Sequence, residues 1–467
     1  MSAIPTLAEA ARLLRAKKLS SVELTKECLK RVQKLDPTLN AFLLLTEKDA
    51  LAAARAADKA LAGNDTRPTP LTGIPIGLKD IFETAGIRTT AHSKVLEHHI
   101  PKQDAETVRR LKDSGAVSLG KLATHEFAIG GPAFDLPWPP ARNPWDPQRF
   151  TGGSSSGSGA AIAAGLVLGA MGSDTGGSIR NPSAFCGIAG IKPTAGLVSR
   201  RGVVPLSQSF DTAGPMAWTA EDCALLLDVL AGHDPLDPAS VPTPPPQAAK
   251  AVKDGPPRGL RVGYARRWHE RDMNVTRDQH AAMAGAVGLL EGLGCTVREI
   301  DPGALIDYTA VNRLVILAEA YTIHEHTLTH RPDDHSRAFR LRILGGGAMR
   351  AADYLAAQRQ RWVLANRFNA LFADVDVILA APVPGAARTL EEEKTDLPRF
   401  LDRPHLASPA NISGGPAAVV CTSFTESGLP LGAQLIGAPF QDARVLALAA
   451  ALEHASGTRS RRPALAA

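Results

Sequence analysis

Two glycine-rich blocks standing close together constrain this chain more than any other feature. The first, Thr151-Gly-Gly-Ser-Ser-Ser-Gly-Ser-Gly159, runs without a break into the small-residue stretch 160–168. A helix starting there sets backbone N–H groups and its positive end beside several hydroxyls, a place that favours developing negative charge. The second, Gly172-Ser-Asp-Thr-Gly-Gly-Ser-Ile-Arg180, has two glycines directly before Ser178. Glycine lets the backbone turn tightly enough to aim successive N–H groups at one point, as an oxyanion hole requires. Ser178 is thus expected beside its own oxyanion donors.

Around these blocks, short apolar runs alternate with helical segments. Capping-type starts at Thr6 with Glu9, Ser20 with Glu23, and Thr46 with Asp49 predict three N-terminal helices within residues 1–63. Strands are predicted at 74–78 and 116–119 with a capped helix over 104–114 between them, and another capped helix runs from Thr219 to Leu230. Eight prolines in 234–257 predict an extended surface connection. Beyond it come a strand at 260–264, a helix over 279–293, a strand at 295–300, a long helix over 352–372 and a buried strand at 375–380. Strands at 417–422 and 431–436 flank a turn at Ser427 and Gly428, and a helix over 441–455 closes the chain. That alternation marks an α/β sheet.

Bulk properties remove several functions. A hydrophobic content of 44% with 21% charged residues belongs to a folded globular protein. The net charge of +5 comes from 52 basic and 47 acidic residues, with no basic run interleaved with aromatics, so no nucleic acid is expected. The first 18 residues lack the apolar core of a secretory signal. The uncharged stretch 150–173 opens on glycine and serine, so it predicts a buried helix and strand rather than a membrane span. Five scattered cysteines with no CxxC pair and one odd thiol suit a reducing compartment, and a cytoplasmic protein is expected. His98 and His99 are adjacent and point apart, and no HExxH occurs, so no metal is expected. Without G-x-x-x-x-G-K-[ST] there is no case for a nucleotide, and no cofactor is expected.

A serine hydroxyl needs a base, and neither glycine-rich block contains a histidine. Lys79, in Gly73-Ile-Pro-Ile-Gly-Leu-Lys-Asp80, ends an apolar strand where burial would disfavour the ammonium and leave a neutral amine. A rival reading exists. Gly153-Ser-Ser-Ser-Gly157 fits the G-x-S-x-G elbow, which would make Ser155 the nucleophile of an α/β-hydrolase esterase, although 143–149, with two prolines, gives no clear preceding strand. The S-x-x-K match Ser118 to Lys121 lacks S-D-N and K-T-G and is treated as chance. Taken alone, Lys79 reads as a surface charge, Asp174 with Arg180 as a structural ion pair, and Ser155 as a helix cap.

Five segments together resemble the amidase signature family: Gly77-Leu-Lys-Asp80, Gly152-Gly-Ser-Ser-Ser-Gly157, Gly172 to Arg180 with Pro182, Gly190-Ile-Lys-Pro-Thr194, and Phe210-Asp-Thr-Ala-Gly-Pro215. The resemblance implies a single large domain, residues 1–467, with a central mixed β-sheet covered by helices on both faces. It implies an amidase that releases ammonia or an amine through an acyl-serine intermediate, using Ser178 as nucleophile, Ser154 after a cis peptide bond as relay, and Lys79 as terminal base. Thr175, Gly176, Gly177 and Ser178 would bind the oxyanion through N–H groups. Asp174 and Arg180 would brace the loop, Ser155 would support Ser154, and the carbonyl of Ala128 would face the acyl group. The expected partner is a small-molecule amide, with no nucleic acid and no membrane, and a homodimer is left open. The family also contains the ammonia-producing component of tRNA-dependent amidotransferases, which releases ammonia from glutamine. Asn181 and Leu206-Ser-Gln-Ser209 depart from that component's usual wording and favour a free-standing enzyme. Specificity is expected from 265–350, with Tyr308, Arg313 and Gly345 to Gly347 as candidate pocket residues.

Overall fold

The computed structural model describes residues 4–63, 69–395 and 403–466. Its strands are β1 (Phe42–Leu45), β2 (Pro75–Lys79), β3 (Val117–Leu122), β4 (Arg142–Asn143), β5 (Asp146–Phe150), β6 (Gly169–Asp174), β7 (Ala189–Lys192), β8 (Thr212–Ala217), β9 (Arg261–Tyr264), β10 (Thr296–Glu299), β11 (Val377–Ala380), β12 (Ala417–Phe424) and β13 (Pro430–Gly437). Eleven of them make one sheet in the order β1-β3-β2-β6-β8-β7-β12-β13-β11-β9-β10, and β4 and β5 form a separate hairpin. The β2–β3, β2–β6, β9–β10 and β9–β11 pairs are parallel and the others antiparallel, so the sheet is mixed as expected.

Successive strand residues point to opposite faces. On β6, Ala170 and Met171 enter different apolar clusters, and on β8 so do Met216 and Ala217. Both faces are therefore covered. Helices Leu7–Arg15, Ala220–Leu230 and Asp442–Ser456 pack on one side through Leu7, Leu227 and Leu448. Helices Ser21–Leu39, Glu47–Ala62 and Ser156–Ala163 cover the other through Val32, Ala54 and Ile162. Thr6 with Glu9 and Ser20 with Glu23 form the expected reciprocal caps, whereas the Thr46 side chain makes no capping bond. Among the described residues, no helix is long and apolar enough to cross a membrane.

Two expectations need revision. The helix expected over 160–168 starts earlier, inside the glycine-rich block, and ends at Ala163. The segment 234–257 is not wholly extended: Ala248–Asp254 is a helix with Ala248 fully buried, because the prolines flank these seven residues and none lies among them. It interrupts the chain without dividing the sheet, since β7 from before it pairs with β12 from after it. Strand β1 and the 26-residue helix Leu305–His330 were not anticipated.

Candidate active site

Lys79 is the last residue of β2 and Asp174 the last of the neighbouring parallel strand β6. In open α/β sheets, ligand sites form beyond the carboxyl ends of strands, and the loops leaving these two strands meet there. Lys79 is 0% exposed. Its Nζ donates to Ser154 Oγ at 2.7 Å and to Ser173 Oγ at 2.7 Å. Burial pushes the Lys79 ammonium down to about 7, against the opposing pull of the Asp211 and Asp174 carboxylates. A lysine held by two hydroxyls and no carboxylate can exchange its proton near neutrality.

The Gly153–Ser154 peptide bond is cis. The Ser154 carbonyl accepts from His125 N at 3.0 Å and Ser156 N at 2.8 Å, which fixes the backbone that presents the hydroxyl. Only glycine fits at 153, where a Cβ would lie 2.0 Å from His125 Cε1. The His125 ring stacks on Phe150 and accepts from Gly131 N through Nδ1 at 3.1 Å. Burial, with Lys79 adding to it, pushes His125 well below the usual imidazole range, so the ring is neutral. His125 makes no hydrogen bond to Ser154 or Ser178 through its ring, and its nearest role is to shape the turn.

Ser178 stands on a loop held from inside by a buried ion pair. Both partners are fully buried, and Arg180 Nη2 donates to Asp174 Oδ1 at 2.8 Å and Nε to Oδ2 at 2.9 Å. Burial would raise the Asp174 carboxyl, but Arg180 and the Asn411 amide outweigh it and hold the group well below the usual range. Arg180 also donates to the Ala407 carbonyl, Gln434 Oε1 and Asn411 Oδ1. Gly177, at φ +110°, turns its N–H to Asp174 Oδ1 at 2.8 Å. That bond corrects the expectation of four oxyanion donors, because the Gly177 N–H is already engaged. Gly176 N and Ser178 N make no hydrogen bond to another described residue. Thr175 donates its hydroxyl to Asp211 Oδ1 at 2.6 Å.

Ser155 neither caps its helix nor faces the cavity. Its Oγ accepts from Ser173 N at 3.3 Å and reaches Ser173 O at 3.4 Å, while its own N–H donates to the Ser178 carbonyl at 3.2 Å. Ser155 thus ties the two glycine-rich blocks together. The elbow reading fails on geometry: the strand before it, β5, lies outside the main sheet and Oγ is turned inward.

Ser154 and Ser178 both line a cavity of about 700 Å³, without a direct hydrogen bond between their hydroxyls. Ala128, in the left-handed conformation at φ 61°, lines it too, as does Arg313. Tyr308 does not: it is buried against Trp268 and Phe368 with its hydroxyl on the Pro302 carbonyl. Gly345 to Gly347 belong to the short helix Leu344–Ala348 and are not among the lining residues. Sequence reasoning missed Ser173 and His125. The first stands inside a quoted block beside Asp174, and a search for polar partners of a buried lysine would have found it. No sequence signal marks the contact between His125 and Gly153.

Comparison with known proteins gives a consistent result. The family model described as Amidase matches residues 23–446. The A subunit of the glutamyl-tRNA(Gln) amidotransferase of Geobacter metallireducens is 38% identical over 95% of each chain. Among solved structures, a chain from a vestigial protein complex bearing on the origins of an s-triazine catabolic enzyme superimposes with a TM-score of 0.89. It is 33% identical, over 97% of this chain and 99% of that one. The peptide amidase of Stenotrophomonas maltophilia gives 0.83 at 30% identity, over 98% of each chain.

Proposed function

Because this chain belongs to the amidase signature family and is an amide C–N hydrolase, we propose that Ser178 is its nucleophile, Ser154 its proton relay and Lys79 its base. The observation that carries this reading is the 2.7 Å contact between Lys79 Nζ and Ser154 Oγ in a buried site, with the lysine pushed down to about 7. Once neutral, the amine accepts where it had donated. Ser178 Oγ attacks the amide carbon, its proton passes to Ser154, and the Ser154 proton passes to Lys79. The N–H groups of Gly176 and Ser178, with that of Thr175, would receive the carbonyl oxygen as it becomes negative. The proton then returns by the same route to the leaving nitrogen, the C–N bond breaks, and acyl-Ser178 remains. Water repeats the attack and releases the acid.

Ala128 would contact the acyl group through its carbonyl, and Asp174, Arg180 and Ser155 hold the loops without touching the substrate. The cavity wall carries Arg313, Arg342, Arg388 and Arg403 together with Asp272 and Glu393, so it is polar and charged on this side. Five unpaired cysteines support a reducing, cytoplasmic setting.

Mass spectrometry of the enzyme trapped during turnover of an amide tests the assignment. An acyl adduct on Ser178, absent from Ser178→Ala, is expected, and equal turnover by both proteins would eliminate the nucleophile. A second reading rests on the amidotransferase relatives: the chain could be the ammonia-releasing component of such a complex, which would bring a tRNA to it against the expectation of no nucleic acid. Glutamine hydrolysis that appears only with co-purifying partners would select it.

A further inference from the structure

Just beyond β9, helices Arg266–Glu270 and Arg277–Gly292 bring His269, Glu270 and His280 together. One ligand atom from each lies within 4.8 Å of the other two. His269 is 1% exposed, its Nε2 is 2.8 Å from the Tyr264 hydroxyl, and its Nδ1 is buried with no hydrogen-bond partner among the described residues. A buried polar atom left without a partner is costly. One ring nitrogen held by an oxygen and the other unclaimed is how a metal-bound imidazole is arranged. Arg266 Nε donates to Glu270 Oε1 at 2.6 Å.

We propose that His269, Glu270 and His280 form a binding site for a divalent transition ion, zinc foremost, with water as the fourth ligand. Two imidazoles and one carboxylate suit zinc in both ligand type and number. Ligand atoms at ~2.0–2.2 Å from a tetrahedral ion stand ~3.4 Å apart, so the three groups must draw in slightly. Glu270 is exposed and His280 half-buried, and both can rotate toward the fixed His269. Between the two helices runs the segment 271–276, from which Asp272, Met273 and Asn274 line the catalytic cavity. A bound ion would pin the two ends of that wall to each other. The hydrolytic chemistry assigned to Lys79, Ser154 and Ser178 does not need it.

The test is calorimetric titration of the chelator-stripped full chain with Zn²⁺, together with the absorption spectrum after Co²⁺ substitution. One ion per chain and a four-coordinate cobalt spectrum are expected. Glu270→Gln and His280→Asn should each weaken binding at least ~10-fold. Neither side chain is buried, so circular dichroism should show both variants folded like wild type. Absence of stoichiometric binding overturns the proposal, and so does wild-type affinity in both variants, which would assign the ion to other residues.

Discussion

Raising the pH through neutrality should switch acylation on, and the size of the effect follows from Lys79. Burial sets its pKa to about 7, and only the neutral amine can take the Ser154 proton. With that value, the reactive fraction is ~9% at about pH 6 and ~91% at about pH 8, so the rate climbs ~10-fold across the interval and then levels. Single-turnover acylation by an anilide, followed in a stopped-flow instrument, isolates the chemical step. Lys79→Ala should cost ~10²–10⁴ in that step and erase the rise. Lys192 supplies a control. It too is buried and pushed down to about 7, but its Nζ donates to the Pro193 carbonyl rather than to a cavity hydroxyl. Lys192→Met should therefore leave the midpoint in place. A flat wild-type profile with chemistry limiting, or a midpoint that survives Lys79→Ala, refutes the reasoning.

Three further outcomes follow from contacts around the same loops. Ser173→Ala takes from Lys79 one of its two hydroxyl acceptors, so the ammonium is less supported and the midpoint of the profile should move to lower pH, with a ~10-fold slower plateau. Arg180→Met leaves Asp174 charged and uncompensated in the interior, which should cost ~3–5 kcal/mol in urea unfolding and abolish turnover. Gly153→Ala drives a methyl into the His125 ring and should lower stability by ~1–3 kcal/mol. Adding His125→Ala should return part of it, as a double-mutant thermal-melt cycle would show.

Chemistry that needs neighbouring residues was legible in the sequence. The Gly77-Leu-Lys-Asp80 strand end and the two glycine-rich blocks announce a buried amine and two hydroxyl-bearing turns, and in the structure Lys79 reaches Ser154. The Thr6 and Ser20 capping boxes are likewise local and formed as expected. What escaped depends on contacts distant in sequence. The side chain of Tyr308 is aromatic and polar enough to suggest a pocket, yet Trp268 and Phe368 claim its ring for the core. The Gly177 N–H looked like an oxyanion donor until the carboxylate three residues earlier folded back upon it. Strand β1, four apolar residues between two helices, carries no periodicity of its own and is a strand because it pairs with β3. The helix Leu305–His330 has buried residues spread around it rather than along one stripe, so its pattern gives no amphipathic signature.

The Arg180 guanidinium gathers Ala407, Asn411 and Gln434, residues more than two hundred positions downstream. A polypeptide still emerging from the ribosome holds Lys79, Ser154 and Ser178 long before it holds those three anchors. The brace behind the Ser178 loop is therefore completed only when this distal stretch has been made. A protease that clipped off this distal portion would strip Arg180 of those three partners while leaving Lys79, Ser154 and Ser178 in the chain.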